Sequence, residues 1–125
     1  MSIFTKFLLI FCFGGAGAIS RYGLGLGLQK FFPTSLAVFL TNVLGCFLFG
    51  LVWTASTHRG WISPEWGVVI LVGFLGSFTT FSTFIFDSHR LLESGGVGVV
   101  LLNLAGQILL GWGAFILACK MLPAS

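Results

Sequence analysis

The sequence predicts an all-α membrane protein with four transmembrane helices, the third of which is broken near mid-span. Of its 125 residues, 57% are hydrophobic and only 7% are charged, whereas about a quarter of the residues in a soluble domain are charged. The mean hydropathy of +1.08 points the same way. Four apolar stretches reach the length of about 20 residues that a helix needs to cross a bilayer.

The four predicted helices fill one transmembrane domain over residues 1–125 and leave no room for a soluble domain. They cover residues 3–28, 35–56, 66–86 and 97–121. The predicted loops at 29–34, 57–65 and 87–96 hold most of the charged residues, together with Pro33 and Pro64. Proline is tolerated at the start of a helix, where its missing N–H would have no partner in any case.

The basic residues are balanced across the predicted membrane. With four spans, one side of the membrane carries Lys6, Arg59 and Lys120. The other side carries Arg21, Lys30 and Arg90. Because the positive-inside rule then has no asymmetry to act on, the sequence predicts insertion in both orientations. The alternative is that one charge near a span end, above all Arg21, decides the orientation.

Four helices are too few to enclose a pore, since a bundle of this size has a filled core. Transport therefore requires association, and insertion in both orientations would give an antiparallel homodimer with its axis in the membrane plane. The expected partners are a second copy and the lipid bilayer. Nucleic acid is excluded because the basic residues are scattered singly.

The polar residues inside the predicted spans are neutral hydrogen-bonding groups, and no charged residue lies near the middle of a span. They are Thr41, Asn42, Thr79, Thr80, Ser82, Thr83, Asn103 and Gln107. Asn103 and Gln107 are four residues apart and share a helix face. Amide and hydroxyl donors without fixed charge could carry a small anion without trapping it. The alternative is that they only join helices together.

The predicted break lies within residues 73–84, where Gly73 and Gly76 precede hydroxyl and β-branched residues that make a weak helix. A broken helix survives in a membrane only where protein, water or an ion satisfies its freed backbone groups. Phe81 and Phe84, three residues apart, would face the same way, and aromatic ring edges are positive enough to line an anion path. With 15 phenylalanines in the chain, ordinary packing is the alternative.

Three segments resemble the motifs of the bacterial fluoride channel family, the Fluc or CrcB proteins. They are GGAGAISRY at residues 14–22, NVLGCFLFG at 42–50 and GFLGSFTTFSTF at 73–84. The resemblance implies a dual-topology homodimer with two antiparallel pores. Its implied function is passive fluoride export across the inner membrane, which reduces the toxicity of fluoride in the cytoplasm.

The resemblance also assigns the pore residues. It implies that Asn42 donates into the pore, that Phe81 and Phe84 present their ring edges to fluoride, and that Ser82 and Thr83 belong to an adjoining polar track. Gln107 stands where the family often has a smaller hydroxyl residue, and with Asn103 it would extend the track in the fourth helix.

A sodium ion is the implied cofactor, held at the dimer centre by backbone carbonyls that correspond to Gly76 and Thr79. Arg21 corresponds to the arginine of the family's first helix, with a structural or vestibular role. Ser77 replaces a glycine of the third motif.

Two other functions are compatible with a small four-helix membrane protein. One is a non-transporting scaffold subunit whose glycine-rich faces pack against a larger partner. A small multidrug exporter is disfavoured because such proteins use a membrane-embedded Glu in their first helix, and this first helix has none. An enzyme is not expected, since no nucleophile–base pair or metal-ligand set is visible.

Overall fold

The structure, a computed structural model, describes residues 1–122 and is helical through most of that range. Its elements are α1 (Ile3–Leu28), α2 (Thr34–Thr57), α3 (Pro64–Val68), a π-helical segment (Val69–Leu75), α4 (Gly76–Phe78) and α5 (Phe81–Met121). Within the described residues, three helical stretches are long and apolar enough to cross a membrane, namely Ile3–Leu28, Thr34–Thr57 and Pro64–Met121. The prediction of an all-α membrane protein is confirmed.

Local signals explain where the first two helices begin. Ser2 precedes α1, and its hydroxyl oxygen accepts a hydrogen bond from the backbone N–H of Thr5 at 3.1 Å, a typical N-cap. Pro33 immediately precedes α2 with φ −57° and ψ 152°, so it lies just outside the helix at the φ that its ring fixes. Sequence-local chemistry therefore sets both starts.

The helical path is interrupted after α4, where Thr79 and Thr80 are extended. Thr79 has φ −87° and ψ 160°, and Thr80 has φ −150° and ψ 119°. The hydroxyl of Thr80 then caps α5 by accepting from the N–H of Thr83 at 3.2 Å. β-Branched residues are comfortable in extended backbone, so two consecutive threonines suit this interruption. It lies within the segment 73–84 in which the sequence predicts a break.

The chain does not form the predicted loop over residues 87–96, because α5 continues through them and changes direction only at Gly96. This corrects the predicted end of the third helix at residue 86. Residues 87–94 contain neither proline nor glycine and include Leu91 and Leu92, so no helix-breaking residue occurs before Gly95 and Gly96. Gly96 has φ 77° and ψ 179°, angles that glycine adopts without a steric penalty.

The change of direction at Gly96 brings the two arms of α5, residues 81–95 and 97–121, side by side. The amide Nδ2 of Asn103 donates to the hydroxyl oxygen of Ser88 at 3.0 Å. In a straight helix two residues this far apart in sequence would be separated by about 22 Å. The chain therefore folds back at Gly96.

Close approaches at glycine hold the helices together. Gly17 of α1 packs against the backbone of Phe74, Gly45 of α2 against the side chain of Thr79, and Gly50 of α2 against the carbonyl oxygen of Phe115. Small residues at such contacts let helix backbones approach closely in a membrane. Large apolar side chains lie mainly on the outside, as for Phe11 at 77% exposed and Leu102 at 75%. This distribution suits a protein whose solvent is lipid.

Candidate functional site

The helical break opens onto a cavity of about 400 Å³ between α2 and the two arms of α5. Four of the predicted pore residues line it, namely Asn42, Phe81, Phe84 and Gln107. Thr80 contributes to the same wall. The cavity therefore places amide groups and aromatic rings together at the interruption of the helix.

Asn42 holds the extended backbone of Thr80 by two hydrogen bonds. Its Oδ1 accepts from the Thr80 N–H at 2.9 Å, and its Nδ2 donates to the Thr80 carbonyl at 3.1 Å. Nδ2 also donates to Oε1 of Gln107 at 2.8 Å. An amide nitrogen has two hydrogens, so both donors of Asn42 are engaged. The donation into the pore that the family resemblance implies would require one of these bonds to open.

A chain of hydrogen bonds leads from Asn42 along α5. Nε2 of Gln107 donates to Oδ1 of Asn103 at 3.4 Å, and Nδ2 of Asn103 donates to Oγ of Ser88 at 3.0 Å. Oγ of Ser88 in turn donates to the carbonyl of Phe84 at 2.8 Å. We call Asn42, Gln107, Asn103 and Ser88 the amide ladder. It joins α2 to both arms of α5 without using a charged group.

Phe81 and Phe84 meet edge to face, with ring centroids 5.7 Å apart and planes inclined by 63°. Their burial differs sharply, since Phe84 is 6% exposed and Phe81 is 74% exposed. The two residues share the cavity as their spacing predicts. Phe84 forms its inner wall, whereas the Phe81 ring lies at the surface of the chain, open to lipid or to a second subunit.

The hydroxyls of Ser82 and Thr83 gather around Thr80 rather than around Asn42. Oγ1 of Thr80 lies 3.1 Å from that of Thr83 and 3.3 Å from Oγ of Ser82. Thr83 lines a second cavity of about 230 Å³, together with Arg21, Thr41 and Thr80. Thr80 lines both cavities, so the extended segment forms part of the wall between them.

Arg21 contacts the chain just before the interruption. Its Nε donates to the carbonyl of Ser77 at 3.1 Å. The carbonyls at the end of a helix carry partial negative charge and are stabilised by a cation. Arg21 therefore caps the end of α4, while its side chain also lines the second cavity. This geometry combines structural support with a position at the edge of a cavity.

The carbonyls of Gly76 and Thr79 both lose their regular helical donors at the break. In a continuous helix they would accept from the N–H groups of Thr80 and Thr83. Here the Thr80 N–H donates to Asn42 and the Thr83 N–H donates to the Thr80 hydroxyl. Freed carbonyls of this kind are ligands for Na⁺ in membrane proteins. Within residues 1–122, no group of three acidic, His or Cys side chains could hold a metal ion.

Comparison with known proteins places the chain in a family. Residues 8–119 match the profile described as CrcB-like protein, Camphor Resistance (CrcB). The chain belongs to this CrcB family. A relative from Solidesulfovibrio magneticus, named fluoride-specific ion channel FluC, is 50% identical over 105 residues, covering 81% of this chain and 82% of the relative.

Two further relatives carry the same name, fluoride-specific ion channel FluC. The protein from Nitratidesulfovibrio vulgaris is 44% identical over 108 residues, which cover 85% of this CrcB-family chain and 87% of the relative. The protein from Maridesulfovibrio salexigens is 40% identical over 113 residues, which cover 89% and 90% respectively. The similarity extends over most of the length of each protein.

Two buried residues of this CrcB-family chain lie where the sequence predicts a loop, so the sequence pattern did not reveal them. Ser88, 6% exposed, completes the amide ladder, and Asp87, 3% exposed, follows Phe84 by one helical turn. Oδ2 of Asp87 has no hydrogen-bond partner within residues 1–122. The spacing of three and four residues from Phe84 would have placed both on the Phe84 face, had the helix been extended past residue 86.

Proposed function

We propose that this chain is a fluoride-selective ion channel that lets fluoride leave the cytoplasm passively through the inner membrane and so reduces fluoride toxicity. Its similarity to relatives named fluoride-specific ion channel FluC, at 40–50% identity, carries the proposal. The cavity at the helical break supports it, because the cavity combines neutral amides with phenylalanine rings. The names of these relatives describe an ion channel rather than an enzyme.

In the proposed pathway, fluoride exchanges water for weakly polar protein groups. Asn42, Phe81, Phe84 and Gln107 surround the main cavity. Asn103 extends the ladder, and Ser82 and Thr83 form a hydroxyl track beside the break. Amide N–H groups and ring edges each offer partial positive charge to an anion. Binding by such groups is weak enough for the ion to leave, which conduction requires.

The proposed assembly is an antiparallel dual-topology homodimer in which each subunit crosses the membrane four times. The reversal at Gly96 supports four crossings, because it divides Pro64–Met121 into two antiparallel parts. The exposure of Phe81, at 74%, supports a second subunit, since its ring lines the cavity but lacks cover on its outer side. Two subunits would complete two antiparallel pores.

Dual topology predicts that the second loop is found on both sides of the membrane. A cysteine introduced at exposed His58, which leaves the Lys and Arg balance unchanged, in a background with Cys12, Cys46 and Cys119 replaced by alanine, should react with a membrane-impermeant maleimide from each side of sealed vesicles. About half of the protein should be labelled from outside and the rest only after permeabilisation, because the basic residues are balanced. Labelling of all protein from one side would contradict the proposal.

We further propose that Na⁺ is bound at the centre of the dimer by the carbonyls of Gly76 and Thr79. Two carbonyls from each subunit would supply four oxygens without any side-chain ligand. The redirected N–H groups of Thr80 and Thr83 support this, because they leave both carbonyls without their helical donors. The ion would add positive charge beside the fluoride pathway and satisfy backbone groups that lipid cannot satisfy.

The decisive test is ion release from liposomes that contain the purified protein. We expect rapid fluoride release and no chloride release from matched liposomes, and slower fluoride release when a large organic cation replaces Na⁺ on both sides. Fluoride release that does not depend on sodium would contradict the proposed sodium site but not the proposed channel. Release of neither ion by folded protein would contradict the channel and favour the non-transporting scaffold subunit.

A further inference from the structure

We infer that a polar cavity at one end of the helix bundle binds the headgroup of an aminophospholipid, a lipid that carries a primary ammonium beside its phosphate. This end cavity has a volume of about 550 Å³ and lies between the first turn of α2 and residues 87–94 of α5. It shares no lining residue with the main cavity at the helical break. The inference therefore does not depend on the proposed conduction of fluoride.

The end cavity lies at the depth in the membrane where lipid headgroups are found. α2 begins at Thr34, directly after the non-helical connection formed by residues 29–33. On the other side of the cavity, α5 reverses its direction at Gly96, two residues after Ser94. A helix start and a chain reversal side by side are what the membrane surface requires. The exposed, charged Arg90 and Glu93 also belong at this depth, because charged side chains near helix ends extend to the interface.

Asp87 supplies the cavity with a carboxylate that lacks a partner. The residue is 3% exposed and lines the end cavity. Its Oδ2 accepts no hydrogen bond from any group within residues 1–122. A buried carboxylate without donors is costly, and in membrane proteins such a group marks a site of binding or transport. A ligand that brings ammonium hydrogens would satisfy it.

Arg90 carries the opposite charge in the same cavity, yet it does not pair with Asp87. The two residues are three apart on one helix, a spacing at which side chains can meet. No ion pair within residues 1–122 joins them. The Arg90 guanidinium instead lies 5.9 Å from the centroid of the Phe86 ring. One buried anion and one exposed cation, both unpaired, suit a ligand that carries both charges.

The start of α2 adds backbone donors for the negative part of this ligand. Pro33 provides no side-chain cap, and its carbonyl accepts the N–H groups of Leu36 and Ala37. The N–H groups of Thr34 and Ser35 come earlier and have no carbonyl partner in the helix. Both residues line the end cavity. A helix N-terminus carries partial positive charge and binds phosphate groups.

The order of these groups matches an aminophospholipid headgroup. Its phosphate lies next to the glycerol and its ammonium lies at the tip. A headgroup that enters tip first would place the ammonium at buried Asp87 and the phosphate near Arg90 and the first turn of α2. A primary ammonium offers three N–H donors to the carboxylate, whereas the trimethylammonium of phosphatidylcholine offers none. We therefore expect phosphatidylethanolamine to bind in preference to phosphatidylcholine.

Solid-state nuclear magnetic resonance on the wild-type protein tests the ammonium contact directly. Asp87 is the only aspartate in the sequence, so ¹³Cγ-aspartate introduced by cell-free synthesis labels this carboxyl group alone. The vesicles contain equal parts of phosphatidylglycerol and ¹⁵N-labelled phosphatidylethanolamine. We expect dipolar coupling between the two labels, because a charge-assisted hydrogen bond brings them within about 4 Å.

Matched vesicles with ¹⁵N-labelled phosphatidylcholine in place of phosphatidylethanolamine should show no such coupling. Coupling of similar size in both kinds of vesicle would overturn the assignment of an aminophospholipid. No coupling with phosphatidylethanolamine, in protein whose backbone signals show that it is folded, would overturn the site itself.

Native mass spectrometry of the detergent-purified protein measures the preference between lipids. The wild type should bind phosphatidylethanolamine about fivefold more tightly than phosphatidylcholine, since a hydrogen bond to a charged group is made only with the former. Asp87→Asn keeps the size of the side chain but removes its charge, and it should bind the two lipids about equally. A preference that survives in Asp87→Asn would overturn the inference, as would equal binding by the wild type.

Arg90→Gln tests the phosphate contact, with Lys30→Gln as its matched control. Each substitution removes one positive charge from the same side of the predicted bundle, but only Arg90 lines the end cavity. Arg90→Gln should weaken the binding of phosphatidylethanolamine about fivefold, by loss of a charge-assisted contact. Lys30→Gln should leave it at the wild-type value. Equal losses in the two variants would overturn the phosphate contact, because a general attraction between basic residues and lipid would then explain the binding.

Discussion

Replacing Phe84 with isoleucine is expected to reduce fluoride release about a hundredfold, equivalent to raising the barrier by about 2.7 kcal/mol. Phe84 is 6% exposed and forms the inner wall of the cavity, edge to face with Phe81. Isoleucine fills much of the same space but has no positive ring edge to offer an anion. Fluoride efflux from liposomes at equal protein content measures the effect.

Two matched substitutions distinguish the loss of a ring edge from a loss of folding. Phe81→Ile removes the second ring and should also reduce release strongly, although Phe81 is 74% exposed in the single chain. Phe11→Ile changes a phenylalanine that is 77% exposed on α1 and lines neither cavity at the break, so release should stay at the wild-type rate. Wild-type release in both Phe81→Ile and Phe84→Ile would exclude the ring-edge role. Size-exclusion chromatography of each variant detects loss of folding or assembly.

The two proposed ion sites depend on the same hydrogen bonds at the break. Asn42 accepts the N–H of Thr80, and this removes the regular helical donor of the Gly76 carbonyl. The Thr80 hydroxyl accepts the N–H of Thr83, which removes the corresponding donor of the Thr79 carbonyl. One asparagine and one threonine thus shape the wall of the main cavity and release the carbonyls proposed for sodium.

The break was predictable from sequence because its causes are local. Glycines and consecutive threonines weaken a helix wherever they occur, and the structure becomes extended at Thr79 and Thr80. The partner of Thr80 was not predictable in the same way, because Asn42 is 38 residues away. Only the packing of α2 against α5 brings their polar groups together, and no periodic pattern encodes that distance.

Helical spacing also predicted that Phe81 and Phe84 share a helix face, but it did not predict how deeply each side chain is buried. Phe81 and Phe84 are one turn apart and line one cavity, yet their exposures differ more than tenfold. The exposure of the outer side of the Phe81 ring depends on what covers the chain there, and the sequence of one subunit does not specify that cover. For residues 87–95, the charged residues suggested a loop, whereas the absence of a proline or glycine before Gly95 allowed the helix to continue.

Substituting alanine for Gly17 is expected to destabilise the protein by about 1–3 kcal/mol, the range for overpacking a core. A Cβ at Gly17 would overlap the carbonyl oxygen of Phe74 and approach its carbonyl carbon to 2.9 Å. These are backbone atoms of the π-helical segment, so no side-chain rotation relieves the overlap. α1 would have to move away from the segment that leads into the break. Unfolding in increasing sodium dodecyl sulfate, followed by circular dichroism, measures the loss.

Gly15 offers a control two residues away on the same helix. A Cβ there meets no atom within 4 Å, so Gly15→Ala adds a methyl group without a clash. Alanine is the better helix former by about 1 kcal/mol, and this variant should unfold at the wild-type detergent concentration or slightly above it. Equal effects of the two substitutions would show that α1 does not rest on Phe74. A lower stability of Gly17→Ala alone would establish that α1 positions the π-helical segment, and with it Thr79 and Thr80 at the cavity.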